Sequence, residues 1–148
     1  MLRWLPVCLW LGMMLAIFYF SSRAGSPENS AEWIRSLLRW LAPHLLAQLT
    51  ESQLLLINFL FRKTGHGVGY MLLTLLGYWA MRAGFEKAPK HALYLAALFS
   101  LLRAVVDEVQ QSFVPERSGT VRDVLIDGVG IALAMWLIRA RWRRKQAS

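Results

Sequence analysis

Cysteine is almost missing. Cys8 is the one thiol in 148 residues, which excludes an internal disulfide and any cysteine-based metal cluster. Acids are scarce beside bases: nine Asp and Glu stand against seventeen Lys and Arg, a formal net charge of +8. The chain contains no Gly-x-Ser-x-Gly, no His-Glu-x-x-His and no phosphate-binding glycine loop, so the usual local signatures of serine hydrolases, zinc proteases and P-loop nucleotide enzymes are absent. No Ser or Cys nucleophile stands next to a His in sequence; Ser21, Ser22 and Ser118 reach His66 only if folding brings them there. Internal repeats and low-complexity tracts are also lacking.

Apolar residues fill the chain instead, 56% of it, with seven Trp and a mean hydropathy of +0.38. The length allows one domain, residues 1–148. Four apolar runs stand out: Trp4 to Phe20, Gly67 to Met81, Ala92 to Val106 (broken by Ser100 and Arg103) and Val124 to Ile138 (broken by Asp127). At about 1.5 Å per residue each covers roughly 22–26 Å, close to a bilayer core of about 30 Å. A soluble bundle would carry a charged outer face on each helix, whereas MLLTLLGYWA and LYLAALFSLL are apolar all round. The pattern predicts an all-α, polytopic membrane bundle of four transmembrane helices over about 3–20, 64–82, 90–107 and 121–139. Arg3, the first run and Ser22-x-Ala24 also fit a cleaved secretory signal; retention is the reading adopted, because Ser21 to Arg23 belongs to a motif described below.

Arg3, the turn from Arg82 to Lys90 and the tail over 139–148 hold nine of the seventeen bases and one acid, Glu86. They crowd beside span ends, where the positive-inside bias is set, so both termini are predicted cytoplasmic. The basic tail serves topology and anionic lipid, not nucleic acid. The loop over 21–62 faces outward. In it Asn29-x-x-Glu32 reads as a capping box, and Trp33, Ile34, Leu37, Leu38, Leu41 and Leu45 recur at helical spacing up to a break at Pro43, as in an interfacial amphipathic helix. A second box, Thr50-x-x-Gln53, opens a stretch that either extends the second span or forms its own turn.

Polar residues beside the spans fall into stripes. Lys63, His66 and Tyr70 lie within roughly 60° of one helix face, and Arg103, Asp107 and Gln111 within about 80°, with Glu108 pointing elsewhere. Asp123, Asp127 and Gly130 form a third stripe. Ionised groups in a bilayer face inward and find partners, so Lys63 and Arg103 are expected to neutralise Asp107 and Asp127. Gly65 and Gly69 read as a small-xxx-small packing pair. His66 is the group whose ordinary pKa lies near neutrality.

The strings Arg-Lys-x-x-His-x-x-x-Tyr (Arg62 to Tyr70), Ala-x-x-Asp-Glu-x-x-Gln-x-Phe-x-Pro-x-Arg (Ala104 to Arg117), Asp-Val-Leu-Ile-Asp-Gly-Val-Gly (Asp123 to Gly130) and Ser-Ser-Arg (Ser21 to Arg23) resemble the VanZ-like membrane protein family. The resemblance covers nearly the whole chain, most loosely over 24–55. It implies a small multi-pass protein of the bacterial inner membrane, a link through the family's namesake to low-level teicoplanin resistance, and no established molecular activity. The matching positions are Ser21, Ser22, Lys63, His66, Tyr70, Asp107, Glu108, Gln111, Pro115, Arg117, Asp123 and Asp127. Gly69 departs from the pattern, since many relatives carry Glu before the Tyr; Arg103 is not demanded by it.

Three functions follow as expectations. The leading one is a non-catalytic envelope protein whose outer polar pocket binds an anionic lipid or a lipid-linked sugar headgroup, such as a polyprenyl-linked cell-wall precursor. Lys63, Arg103 and Arg117 would meet phosphate, and Asp107, Glu108 and Gln111 would meet hydroxyls, with Ser22, His66, Tyr70, Asp123 and Asp127 completing the site. The others are an intramembrane enzyme using His66 with Asp107 or Glu108 as acid and base, and a proton-coupled transporter using Asp127 and His66. No cofactor is expected, and Lys63 and Arg103 disfavour a divalent cation among His66, Asp107, Glu108 and Asp127.

Overall fold

A computed structural model describes residues 2–115, 117 and 119–147, among which every regular element is helical. Ser118 lies outside the described residues. Six α-helices follow one another: α1 (Leu5–Ser21), α2 (Pro27–Leu41), α3 (Pro43–Gln48), α4 (Glu51–Ala83), α5 (Pro89–Ser112) and α6 (Val121–Ala147).

Local chemistry sets most boundaries. Thr50 Oγ1 accepts from the Gln53 N–H at 3.3 Å and Gln53 Oε1 accepts from the Thr50 N–H at 2.9 Å, so the expected capping box opens α4. The helix then continues unbroken through LLLINFLF into the second apolar run. Pro43 ends α2: the residue before it, Ala42, leaves helical geometry at φ −147 and ψ 64. The cap assigned to Asn29 and Glu32 is corrected. Ser26 Oγ accepts from the Asn29 N–H at 3.3 Å with Pro27 in the first turn, because a proline there is preorganised and has no N–H to satisfy.

α4 is the central strut, packing on α1, α2, α5 and α6. Small residues bring the helices close. Ala80, Ala92, Ala96, Ala104 and Ala134 are fully buried, and Gly77 admits the Trp10 indole, since a Cβ there would lie 2.9 Å from Trp10 Nε1. Gly130 of α6 presses on the α4 backbone at Gly67 and Met71. Gly65, by contrast, has nothing within 4 Å of its Cβ position and Gly69 meets only Met13 Cε at 3.9 Å. The expected packing pair is therefore not the contact; Gly67 and Gly130 are.

The chain's beginning and end meet at one end of the bundle. Arg3 pairs with Glu86 at 3.2 Å, Trp4 meets Phe85 edge-on at 6.0 Å, and Trp142 Nε1 donates to Tyr78 Oη at 3.2 Å. α2 lies across the opposite end, held by Asn58 of α4, which donates from Nδ2 to Pro27 O at 2.8 Å and accepts at Oδ1 from Ser30 Oγ at 2.7 Å. Trp33, Leu37 and Leu41 of α2 remain exposed.

Burial runs opposite to that of a water-soluble core. Asp127 is 0% and Asp107 2% exposed, with Thr74 and Ser100 also sealed, while Leu15 is 69%, Leu125 67% and Val129 70% exposed. No helix among the described residues is long and apolar enough to cross a membrane. The four expected spans thus fall within helices, with α4 beginning at Glu51 rather than near 64, but these are not uniformly apolar. α1 has 17 residues, and the others carry the polar stripes along with their apolar faces.

Candidate functional site

The polar stripes converge at the end of the bundle covered by α2. Asp107 of α5 sits at their centre. Ser21, the last residue of α1, directs its hydroxyl to Asp107 Oδ1, Gln111 Nε2 donates to Oδ2 at 3.2 Å, and Arg103 Nη2 stands 3.6 Å from Oδ1. Lys63 pairs with Asp123, and His66 Nδ1 lies 3.2 Å from Asp127 Oδ1.

The expected pairing is corrected here. Arg103 does meet Asp107, but Lys63 takes Asp123, one turn before Asp127, and the partner of Asp127 is His66. Glu108 is also corrected: it turns into the cluster, buried, and accepts from the Thr120 N–H at 2.7 Å. Gly119 makes this possible, because the loop passes so near α5 that a Cβ would strike the Glu108 carbonyl and the Ser112 nitrogen. Ser22 is displaced from the site. Its hydroxyl donates to Tyr19 O at 2.5 Å and its carbonyl accepts from Arg117 at 3.1 Å, so Ser21 holds the position expected of it.

Two adjoining cavities open beside this network. The larger, about 390 Å³, lies between α1 and α4 with apolar walls from Met13, Ile17, Phe20, Trp33 and Phe61 and a polar side that includes Ser21, His66, Tyr70 and Asp107. Gly65 and Gly69 line it, and their missing side chains leave the space open. The smaller, about 270 Å³, is bordered by Asn58, Phe59, Lys63 and Asp123. Arg62, His66, Gln111 and Arg117 border both. Arg103, Glu108 and Asp127 border neither; they lie behind His66 and Asp107, with Arg103 Cζ 6.0 Å from the Phe18 ring centre.

Several buried polar atoms find no hydrogen-bond partner among the described residues: Tyr70 Oη, both Arg103 Nη atoms, Glu108 Oε1, Arg117 Nε and Asp127 Oδ2. Arg117 spends one Nη on the Phe20 carbonyl at 2.7 Å and on that of Ser22. Burial, with Arg62 close by, holds its guanidinium below the ordinary range, against the opposing pull of Asp107, Glu108 and Asp123. Arg62 itself is the residue that sequence reasoning passed over. It stands in the Arg-Lys-x-x-His string, but one residue off the Lys63 stripe and so about 100° around the helix.

Similarity to known proteins agrees with this picture at a coarser level. The chain is 36% identical over 103 residues to the "Uncharacterized membrane protein YwnJ" of Bacillus subtilis (strain 168), an alignment covering 64% of this chain and 66% of that protein. The chain thus spans just under two thirds of that relative's length. No solved structure matches. The profile of the family described as VanZ/LLP1 matches residues 5–142, and the chain belongs to that family of membrane proteins.

Proposed function

We propose that this protein is a four-span component of the bacterial cytoplasmic membrane that holds the phosphate-bearing headgroup of an anionic or sugar-linked lipid between α1, α2 and α4. The observation that carries the reading is the pair of joined cavities. One has apolar walls broad enough for a hydrocarbon or isoprenoid stem, the other borders on Lys63, and Arg62, His66, Gln111 and Arg117 stand where the two meet. About 390 Å³ falls within the usual range of about 300–1,000 Å³ for small-molecule pockets. An arginine fork matches phosphate oxygens in pairs, and Arg117 keeps a buried Nε unspent.

Inverted burial supports the placement in a bilayer. Large apolar side chains cover the outside while the acids pair inside, as intramembrane ionisable groups must. Trp79, Tyr94 and Trp136 are exposed toward the end holding the termini, where aromatic side chains favour the lipid–water boundary. The basic tail and the turn before α5 put that end on the cytoplasmic side by the positive-inside bias. The cavities then open at the outer leaflet, where a lipid-linked cell-wall precursor is displayed, and a role in tolerance of teicoplanin-type glycopeptides follows from the family resemblance.

Mass spectrometry of lipids that co-purify in mild detergent tests the binding. Wild type should retain a phosphate-bearing lipid that Lys63→Ala and Arg117→Gln lose, with circular dichroism unchanged. Equal lipid content in all three proteins would remove the headgroup reading. Teicoplanin susceptibility that is the same with and without expression of the wild type would remove the resistance role.

A further inference from the structure

We propose that His66, Asp107, Glu108 and Asp127 form a site for one divalent transition-metal cation, of the manganese or zinc class, beneath the floor of the larger cavity. Each residue offers one ligating atom, and these atoms all lie within 4.8 Å of one another. Four donors about 2.0–2.2 Å from a common ion in a tetrahedral shell are roughly 3.3–3.6 Å apart, so side-chain movements of up to about an ångström close the shell. The four residues come from α4, α5 and α6.

Unpartnered oxygens supply an independent argument. Asp127 is 0% and Glu108 5% exposed, and each has one oxygen engaged and one without a partner among the described residues. Asp127 Oδ1 faces His66 and its Oδ2 is free; Glu108 Oε2 accepts from Thr120 and its Oε1 is free. Buried carboxylate oxygens left in this state are costly, and a cation between them satisfies both.

Charge points the same way. Lys63 is matched to Asp123 and Arg103 to Asp107, while Arg117 directs one Nη to main-chain carbonyls. Glu108 and Asp127 have no Lys or Arg in direct contact among the described residues; His66 faces Asp127, and Arg117 acts on Glu108 through space. One divalent ion balances two carboxylates. The objection raised by the sequence, that Lys63 and Arg103 would repel a cation, loses half its force because Lys63 sits on Asp123.

Donor chemistry selects the metal class. One imidazole with three carboxylates suits manganese, ferrous iron or zinc; calcium prefers six to eight oxygens, and soft copper(I) prefers sulfur. Nδ1 is the His66 nitrogen that faces Asp127, and a ring ligating through it keeps its proton on Nε2. Bound there, the ion ties three helices together under the cavity.

The test uses the full chain purified in detergent, stripped with EDTA, reloaded with MnCl2 or ZnCl2 alone, desalted and measured for metal by plasma mass spectrometry. Wild type should retain about one equivalent, and Asp127→Asn and Glu108→Gln a tenth of that or less. No retention by wild type, or equal retention by the variants, overturns the site. Where a variant fails to fold, pulsed EPR of manganese-loaded wild type decides: coupling to a histidine nitrogen that changes with 15N-histidine supports the site, and its absence overturns it. Lipid content read on the same preparations keeps this proposal separate from the headgroup reading, since either can fail alone.

Discussion

Gly130 is the position where α6 comes closest to α4, and its replacement by alanine tests how the site is held. A Cβ there would strike the carbonyl of Gly67 and the nitrogen of Met71, both backbone atoms that no rotamer change can clear. With the Gly67 carbonyl oxygen 2.0 Å from that Cβ position, restoring an ordinary contact of about 3.5 Å requires the helices to part by roughly 1.5 Å. Such overpacking costs about 1–3 kcal/mol, near the upper end here because the obstacle is backbone. Helix propensity returns about 1 kcal/mol when Gly becomes Ala, leaving a net loss of about 2 kcal/mol. For a chain of this size that is a fall in Tm of about 4–8 °C, read by circular dichroism on protein in detergent. Gly65→Ala and Gly128→Ala are the controls: neither Cβ would have an atom within 4 Å, so propensity alone should hold or raise their Tm. The clash also lies within a turn of the 3.2 Å contact between His66 and Asp127. Amide protection in that stretch of α4 and α6 should therefore fall in Gly130→Ala before it falls in α1. A Gly130→Ala protein melting together with Gly65→Ala would refute the close approach and the packing argument built on it.

Two further outcomes follow from the polar contacts. Asn58→Leu keeps the volume but removes both hydrogen bonds from α4 to α2, while Ser30 Oγ and Pro27 O keep partners within α2; at about 0.5–1.5 kcal/mol net for each bond lost, hydrogen exchange in residues 27–41 should rise while α5 stays protected, and unchanged protection of α2 would show that the asparagine does not dock it. Lys63→Met and Asp123→Leu should each destabilise by breaking a partly buried pair. The double variant should lose at least about 1 kcal/mol less than the sum of the two, as coupled neighbours do, whereas strictly additive Tm losses would mean the pair is not coupled.

What the sequence made legible is what neighbouring residues decide among themselves. The four apolar runs became helices, with α4 starting at Glu51, well before its run; Thr50 and Gln53 formed their box, and Pro43 ended a helix, because capping and proline chemistry act within one turn. The first cap slipped to Ser26 since two signals, Ser26-Pro27 and Asn29-x-x-Glu32, competed a few residues apart. Partner choice was harder. The stripes placed Lys63 and His66 on one face, but whether Lys63 meets Asp123 or Asp127 depends on how far α6 slides along α4, a shift of a single turn. Glu108 was expected to point away from the Asp107 stripe because nothing local shows that Gly119 and Thr120 come close enough to α5 to give it a donor. The glycines were misread by rotation: Gly67 sits about 200° around the helix from Gly65, so the contact with α6 and the open cavity lie on opposite sides of one short stretch.

That opposition explains how a glycine-rich turn of α4 serves two ends at once. Gly130 lets α6 press on the backbone at Gly67 and Met71 until His66 reaches Asp127, and Gly65 and Gly69 keep the other side of that stretch empty enough for a cavity walled by His66 and Tyr70. The space at Gly69 is left open, and the acids of the cluster come from α5 and α6, through Asp107, Glu108 and Asp127. The inward residues that dilute the apolar character of α4, α5 and α6 are therefore the ones from which the cavity wall and the buried cluster are made. An average taken along each helix counts them against a bilayer, whereas a count around each helix separates an apolar outside from a polar inside. Substituting them with leucine would raise the average and remove the site together.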